Sequence, residues 1–183
     1  QIRFVTDALS GPKERAARAP LPKLHADGLN GADVFVFFLE SYGEVAYGVP
    51  EIAKAVQPRI EKAEMVLRGA GWHMASAYFT SPTFGGASWL AHSSFLTGRP
   101  VSGNRDYQLL LSGEDPSLVG AFRQGGYRTI GLMPGLKLAW PEGAFYGYDK
   151  IYDARAIGYD GWPYGWWATP DQFSLARVME QEA

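Results

Sequence analysis

The chain has 183 residues with a net charge of −2, 46% apolar residues and 14% aromatic residues, enough for one domain with a sizeable core. The near-neutral charge gives no electrostatic case for nucleic acid as a partner. With no cysteine, disulfides, thiolate metal sites and a cysteine nucleophile are all excluded.

Residues 1–30 hold Gly11-Pro12, Pro20, Pro22 and Gly28, with Lys13, Arg15 and Arg18 between them. This pattern predicts an extended lead-in, with at most a short helix near Lys13–Ala19, and residues 31–183 form the domain proper. Asp33 to Leu39 is a continuous apolar run rich in Val and Phe, which predicts a strand buried on both faces, as in a parallel sheet. Glu40 follows at its carboxyl end. In open α/β sheets that end lines the ligand crevice, so Glu40 is a candidate ligand for a hard divalent metal, and a solvated strand-end carboxylate is the alternative. A helix is expected from Gln57-Pro58, with Pro58 in the first turn, to Gly69. Trp72 to Thr80 reads as a second strand.

That strand leads into Thr83-Phe-Gly85-Gly86-Ala-Ser88-Trp-Leu-Ala-His92, an apolar-rich run that stops at Gly98. Paired glycines permit a sharp turn that delivers Ser88 to the start of a helix, whose free N–H groups welcome an anion. Ser88 is therefore a candidate nucleophile, with a plain helix-cap role as the alternative. Further along, Asp115 or Ser117 is expected to cap a helix ending at Gly125-Gly126, and Tyr127 to Met133 reads as a third strand. Lys137 and Trp140 lie in the loop after it. Residues 141–169 carry nine aromatic rings, including Tyr159, Trp162, Tyr164, Trp166 and Trp167. Such a segment either stacks on sugar or lipid head groups or packs onto the body of the fold. Thr169-Pro170-Asp171 opens a last helix, Asp171 to Glu182. The expected fold class is α/β, three-layer αβα with a mostly parallel sheet.

Several of these pieces, in this order, resemble the sulfatase-like branch of the alkaline phosphatase superfamily, and most nearly its lipoteichoic acid synthase and phosphoethanolamine transferase types. The resemblance is carried by Phe37-Phe-Leu-Glu40-Ser-Tyr, Gln57-Pro58-Arg-Ile60, Thr83-Phe84-Gly85-Gly86 with Leu96-Thr97-Gly98, and Gly126-Tyr127-Arg128-Thr129. It implies Ser88 in the nucleophile position, with Ser88 and Glu40 as ligands of a divalent metal ion (manganese, magnesium, calcium or zinc). It also implies a phosphate- or sulfate-ester substrate on a cell-envelope lipid head group or glycan. The implied location is periplasmic, or the extracytoplasmic face of a bacterial membrane. Membrane attachment is expected only through a segment outside these residues.

The departures are specific. Sulfatases carry Pro and Arg two and four residues after the nucleophile; here these are Leu90 and His92, so formylglycine maturation is not expected. His92 is a candidate contact for the transferred anion, with a structural helix-face role as the alternative. Lys137 stands near a family lysine, although the surrounding family pattern is absent. The Asp-His pair and further His that complete the family's metal site are missing, since the only histidines are His25, His73 and His92. The expectation is therefore an amino-terminal portion of an enzyme, inert alone, that pairs with its carboxyl-terminal half or self-associates. The rival expectation, from another functional class, is a non-catalytic glycan- or partner-binding fragment with a degenerate site.

Overall fold

The computed structural model describes residues 27–39, 43–165 and 168–183. Their elements in order are a 3-10 turn at Asp27–Leu29, α1 (Val45–Gly48), α2 (Pro50–Gly69), α3 (Ser88–Thr97), α4 (Asn104–Leu111) and α5 (Leu118–Gln124). The second half contains β1 (Ile130–Met133), α6 (Gly143–Tyr146), β2 (Lys150–Asp153), α7 (Ala154–Ile157) and α8 (Asp171–Glu182). The architecture is mixed: helices around a two-stranded parallel sheet, compatible with the α/β class.

The sheet pairs β1 with β2 in register from Ile130 opposite Lys150 to Met133 opposite Asp153. Parallel neighbours need a long crossover, and residues 134–149, including α6, provide it. The edge of the pair is locked by side chains. Asp149 accepts from the Thr129 backbone N–H at 2.9 Å and from its hydroxyl at 3.0 Å, and Arg123 sits 2.8 Å from the same carboxylate. Those bonds, the backbone N–H first, hold the Asp149 carboxyl below the usual carboxylate range.

Two clusters make the core. Leu90, Val101, Tyr107 and Leu110 form one, and Leu96, Val119 and Tyr146 form the other. Phe145 packs against both and so joins them. Helix α3 contributes Leu90 to the first and Leu96 to the second, which makes it the element on which this core is assembled.

Three expectations are corrected. Helix α2 starts at Pro50, which takes the first-turn position, so Pro58 lies inside the helix. Gly69 is the last residue of the helix and not the glycine just past its end, a place taken by Gly71 at φ 84°, where the Trp72 N–H returns to the Leu67 carbonyl at 2.9 Å. Residues 33–39 and 72–79 belong to no ladder among the described residues, and both are exposed rather than buried, with Phe35 at 73% and Phe79 at 90%. Apolar and β-branched composition favours an extended backbone, but a strand exists only through the neighbour that accepts its hydrogen bonds. No helix among the described residues is long and apolar enough to cross a membrane.

The carboxyl-terminal helix is fastened to the sheet by one carboxylate. Glu182 accepts two bonds from Arg128, at 2.6 and 2.9 Å, and one from the Tyr152 hydroxyl at 2.5 Å. The Arg128 bonds come first in holding its pKa down to about 2, followed by the Tyr152 bond. A carboxyl depressed on folding stabilises the fold above its unfolded pKa, and that contribution disappears as pH falls through the folded value. Docking of α8 should therefore weaken as pH falls from about 4.5 towards 2, read as faster amide exchange in α8. Glu182→Gln should show the faster exchange already at neutral pH and no further change in that interval attributable to this contact.

Candidate functional site

Ser88 is the first residue of α3, and the backbone before it is unusual. Gly85, Gly86 and Ala87 have φ of 71°, 134° and 52° in succession. A Cβ built on Gly85 or Gly86 would meet nothing within 4 Å, so these positions need glycine for their backbone angles and not for lack of space. Ala87 has no such freedom, and an L-residue held in the left-handed region costs about 1–2 kcal/mol. The strain sits immediately before the candidate nucleophile, a place where functional sites commonly keep it.

The two sides of α3 then divide the work. Leu90, Ser93, Leu96 and Thr97 are buried against the core. Hydroxyls on this helix donate back to carbonyls one turn earlier, Ser93 to Trp89 at 2.8 Å and Thr97 to Ser93 at 2.7 Å, so burying them leaves no unmet donor. Ser88, His92 and Phe95 follow the i, i+4, i+7 spacing of a second stripe. Against that stripe lies the end of the first apolar run: the Phe38 ring stacks on His92 with centroids 4.2 Å apart and meets Phe95 edge-on at 5.6 Å. The chain two residues before Glu40 is thus held one helical turn from Ser88. Glu40 itself lies outside the described residues.

Lys137 is exposed in the loop after β1. That loop reaches α3 through its buried side. Trp140 stacks on Tyr146 at 5.5 Å, and the Tyr146 hydroxyl donates to Ser93 at 2.8 Å. Tyr146 also offers its carbonyl to the Ser117 hydroxyl at 2.6 Å, while Ser117 caps α5 by accepting from the Gly120 N–H. Burial, and then the nearby Tyr146 phenol, push the Tyr107 hydroxyl upward; burial pushes Tyr148 up to about 12. Raised phenols of this kind stay protonated near neutral pH and do not suit the role of a base there.

The structure therefore brings Ser88 and His92 onto one stripe of one helix and sets Lys137 on a separate, exposed loop. Sequence reasoning missed the Phe38–His92 stack and the Tyr146–Ser93 brace. The first had a partial signal in the aromatic end of the apolar run; the second joins residues 53 positions apart and had none. Among the described residues no group of three or more His, Asp or Glu side chains gathers to hold a metal ion. No protein-family model matches the chain, and no curated protein or solved structure matches it.

Proposed function

We propose that the chain supplies the nucleophile part of a metal-dependent phosphoryl- or sulfuryl-ester hydrolase or phosphotransferase of the sulfatase-like type. Its substrate is a cell-envelope lipid head group or glycan on the extracytoplasmic side of a bacterial membrane. The observation that carries the reading is the Phe38–His92 stack, which sets the approach to Glu40 beside the helix that begins at Ser88. The strained turn into Ser88 supports it. In this reading the finer architecture is a three-layer αβα core with a mostly parallel sheet, of which the β1–β2 pair is the part formed among the described residues.

Glu40 and Ser88 would hold the divalent cation, with manganese, magnesium, calcium and zinc all suited to oxygen ligands of this kind. A bound cation would supply the positive charge that lets the Ser88 hydroxyl, otherwise too weak an acid, give up its proton to solvent. Ser88 Oγ then attacks the phosphorus in line, the bond to the leaving oxygen breaks, and that oxygen takes a proton. The phosphoseryl ester passes its phosphoryl group to water or to an acceptor alcohol, regenerating Ser88. His92, one turn along the helix, is the candidate contact for the transferred anion, and Lys137, on a separate exposed loop, is not among the groups placed on that stripe.

Two tests follow. Incubating the full-length protein with manganese and an activated phosphodiester should leave a phosphoryl group on Ser88, located by mass spectrometry of the acid-quenched protein. Phosphate on another residue, or none during measured turnover, would remove Ser88 from the mechanism. The 183 residues alone contribute one carboxylate and one hydroxyl, whereas hard cations take about 6 oxygen ligands. Calorimetric titration with each of the four metals should accordingly show no submicromolar binding; tight binding by a monodisperse monomer would show a complete site.

A further inference from the structure

The chain has two asparagines, Asn30 and Asn104, and Asn30 alone is followed by a glycine, Gly31. Asn30 and Gly31 are exposed, between the 3-10 turn at Asp27–Leu29 and the apolar run 33–39. Both take left-handed backbone angles, with φ of 51° and 78°. The Ala32 N–H closes the turn on the Leu29 carbonyl at 2.9 Å. The Gly31 N–H makes no hydrogen bond among the described residues, and a Cβ built on Gly31 would meet nothing within 4 Å.

We infer that Asn30-Gly31 is a site of spontaneous covalent modification, at which the asparagine amide is lost through a cyclic imide. The Gly31 nitrogen forms a bond to Asn30 Cγ and the Cγ–Nδ2 bond breaks. The amide leaves as ammonia and carries away the proton of the Gly31 nitrogen. Water then opens the imide at either of its carbonyls, giving aspartate or isoaspartate. The net change is an amide and water converted to an acid and ammonia.

Three features single out this position. Glycine carries no Cβ to hinder its nitrogen and leaves the backbone free to bring that nitrogen onto the side-chain carbonyl. Because the Gly31 N–H is unbonded, its attack breaks no hydrogen bond of the fold. The turn is also open to the water that ring opening consumes. Asn104 is exposed as well, so exposure alone does not decide. It is the first residue of α4 and precedes Arg105, so a helical backbone and a Cβ both oppose ring closure. Asp27-Gly28 and Asp160-Gly161 share the following glycine but offer a carboxylate, which resists attack by an amide nitrogen. The reaction adds one negative charge to a chain whose net charge is −2. Its isoaspartate product puts an extra carbon into the backbone between Leu29 and Ala32, which opens the bond that closes the turn. This chemistry stands independently of the reading of Ser88.

Ageing the protein in warm, neutral buffer made with oxygen-18 water, followed by peptide mapping in a mass spectrometer, tests the inference. Asn30 should convert about tenfold faster than Asn104 or more, with isoaspartate in excess of aspartate and a heavy oxygen in each product. Amide exchange at Ala32 should be faster in the isoaspartate form. Conversion in the folded chain should run within about threefold of the rate in a free peptide spanning residues 24–36, since the turn offers no protection. Gly31→Ala should slow conversion about fivefold or more, both in the protein and in that peptide, where no fold can be lost. Equal rates at Asn30 and Asn104, or aspartate formed without isoaspartate, would overturn the inference. So would a folded-state rate about tenfold or more below that of the peptide, or an unchanged rate in Gly31→Ala.

Discussion

If the proposed function holds, Ser88→Ala should abolish turnover in the full-length protein, lowering kcat by about 10³-fold or more, with thermal unfolding essentially unchanged. The two parts of this expectation have different physical origins. Removing the oxygen that would form the covalent ester leaves only catalysis by binding and electrostatics, which is why a large loss is expected. The fold tolerates the change because Ser88 lies at the end of α3, outside the buried set Leu90, Ser93, Leu96 and Thr97. Alanine is a good helix former, and the N-cap residue Ala87 makes no side-chain cap bond, so the helix start does not rest on a side-chain cap that the substitution would remove. Ser88→Thr is the informative companion. It keeps a hydroxyl at this position, and under the proposed function it should retain measurable turnover. A fully active, correctly folded Ser88→Ala protein would end the proposal.

Tyr146→Ala should be the most damaging substitution for stability, costing about 3–5 kcal/mol, a large share of what holds a domain of this size folded. Tyr146 is 2% exposed and belongs to the cluster with Leu96 and Val119. Its ring stacks on Trp140, meets Phe145 edge-on at 5.2 Å and lies 6.3 Å from Tyr148, so truncation opens a cavity among groups that cannot easily collapse into it. Tyr146→Phe separates packing from polarity. It keeps the ring and deletes only the donor to Ser93, whose own hydroxyl still donates to Trp89. That variant should cost about 1 kcal/mol. Urea denaturation of both variants gives the two values; equal losses would mean that the hydroxyl, not the ring, carries the contribution.

The same residue links stability to the candidate site. Tyr146 is the connection between the loop after β1 and the core side of α3, while Phe38 packs on the opposite stripe of that helix. Loosening the Tyr146 brace should therefore disturb the seating of Ser88 without touching it. A kcat decrease in Tyr146→Phe larger than its stability loss would show that the brace positions the helix as well as holding it.

Local chemistry alone determined those elements whose ends are chemical signals a few residues apart. Helix α3 stops at Gly98, which takes φ 66° with its N–H on the Ser94 carbonyl, and the glycine pair before Ser88 supplies the left-handed turn that its residue types imply. Ser117 caps α5 through its own hydroxyl, and α8 runs from Asp171 to Glu182 as its Thr-Pro-Asp opening suggests. The third expected strand survives as Ile130–Met133. Tertiary structure decided everything that needs a distant partner. It made a strand of Lys150–Asp153, whose four residues give almost no signal, because β1 and the Thr129–Asp149 bonds were there to receive it. It left residues 33–39 and 72–79 without a ladder, although their composition favours strands more strongly. It also set Phe38 on His92, across a stretch of sequence that includes the whole of α2. The physical reason is one and the same. Caps and turns are satisfied by atoms within one or two turns of chain, whereas ladders, ring stacks and buried phenol bonds depend on which remote groups the fold brings within reach.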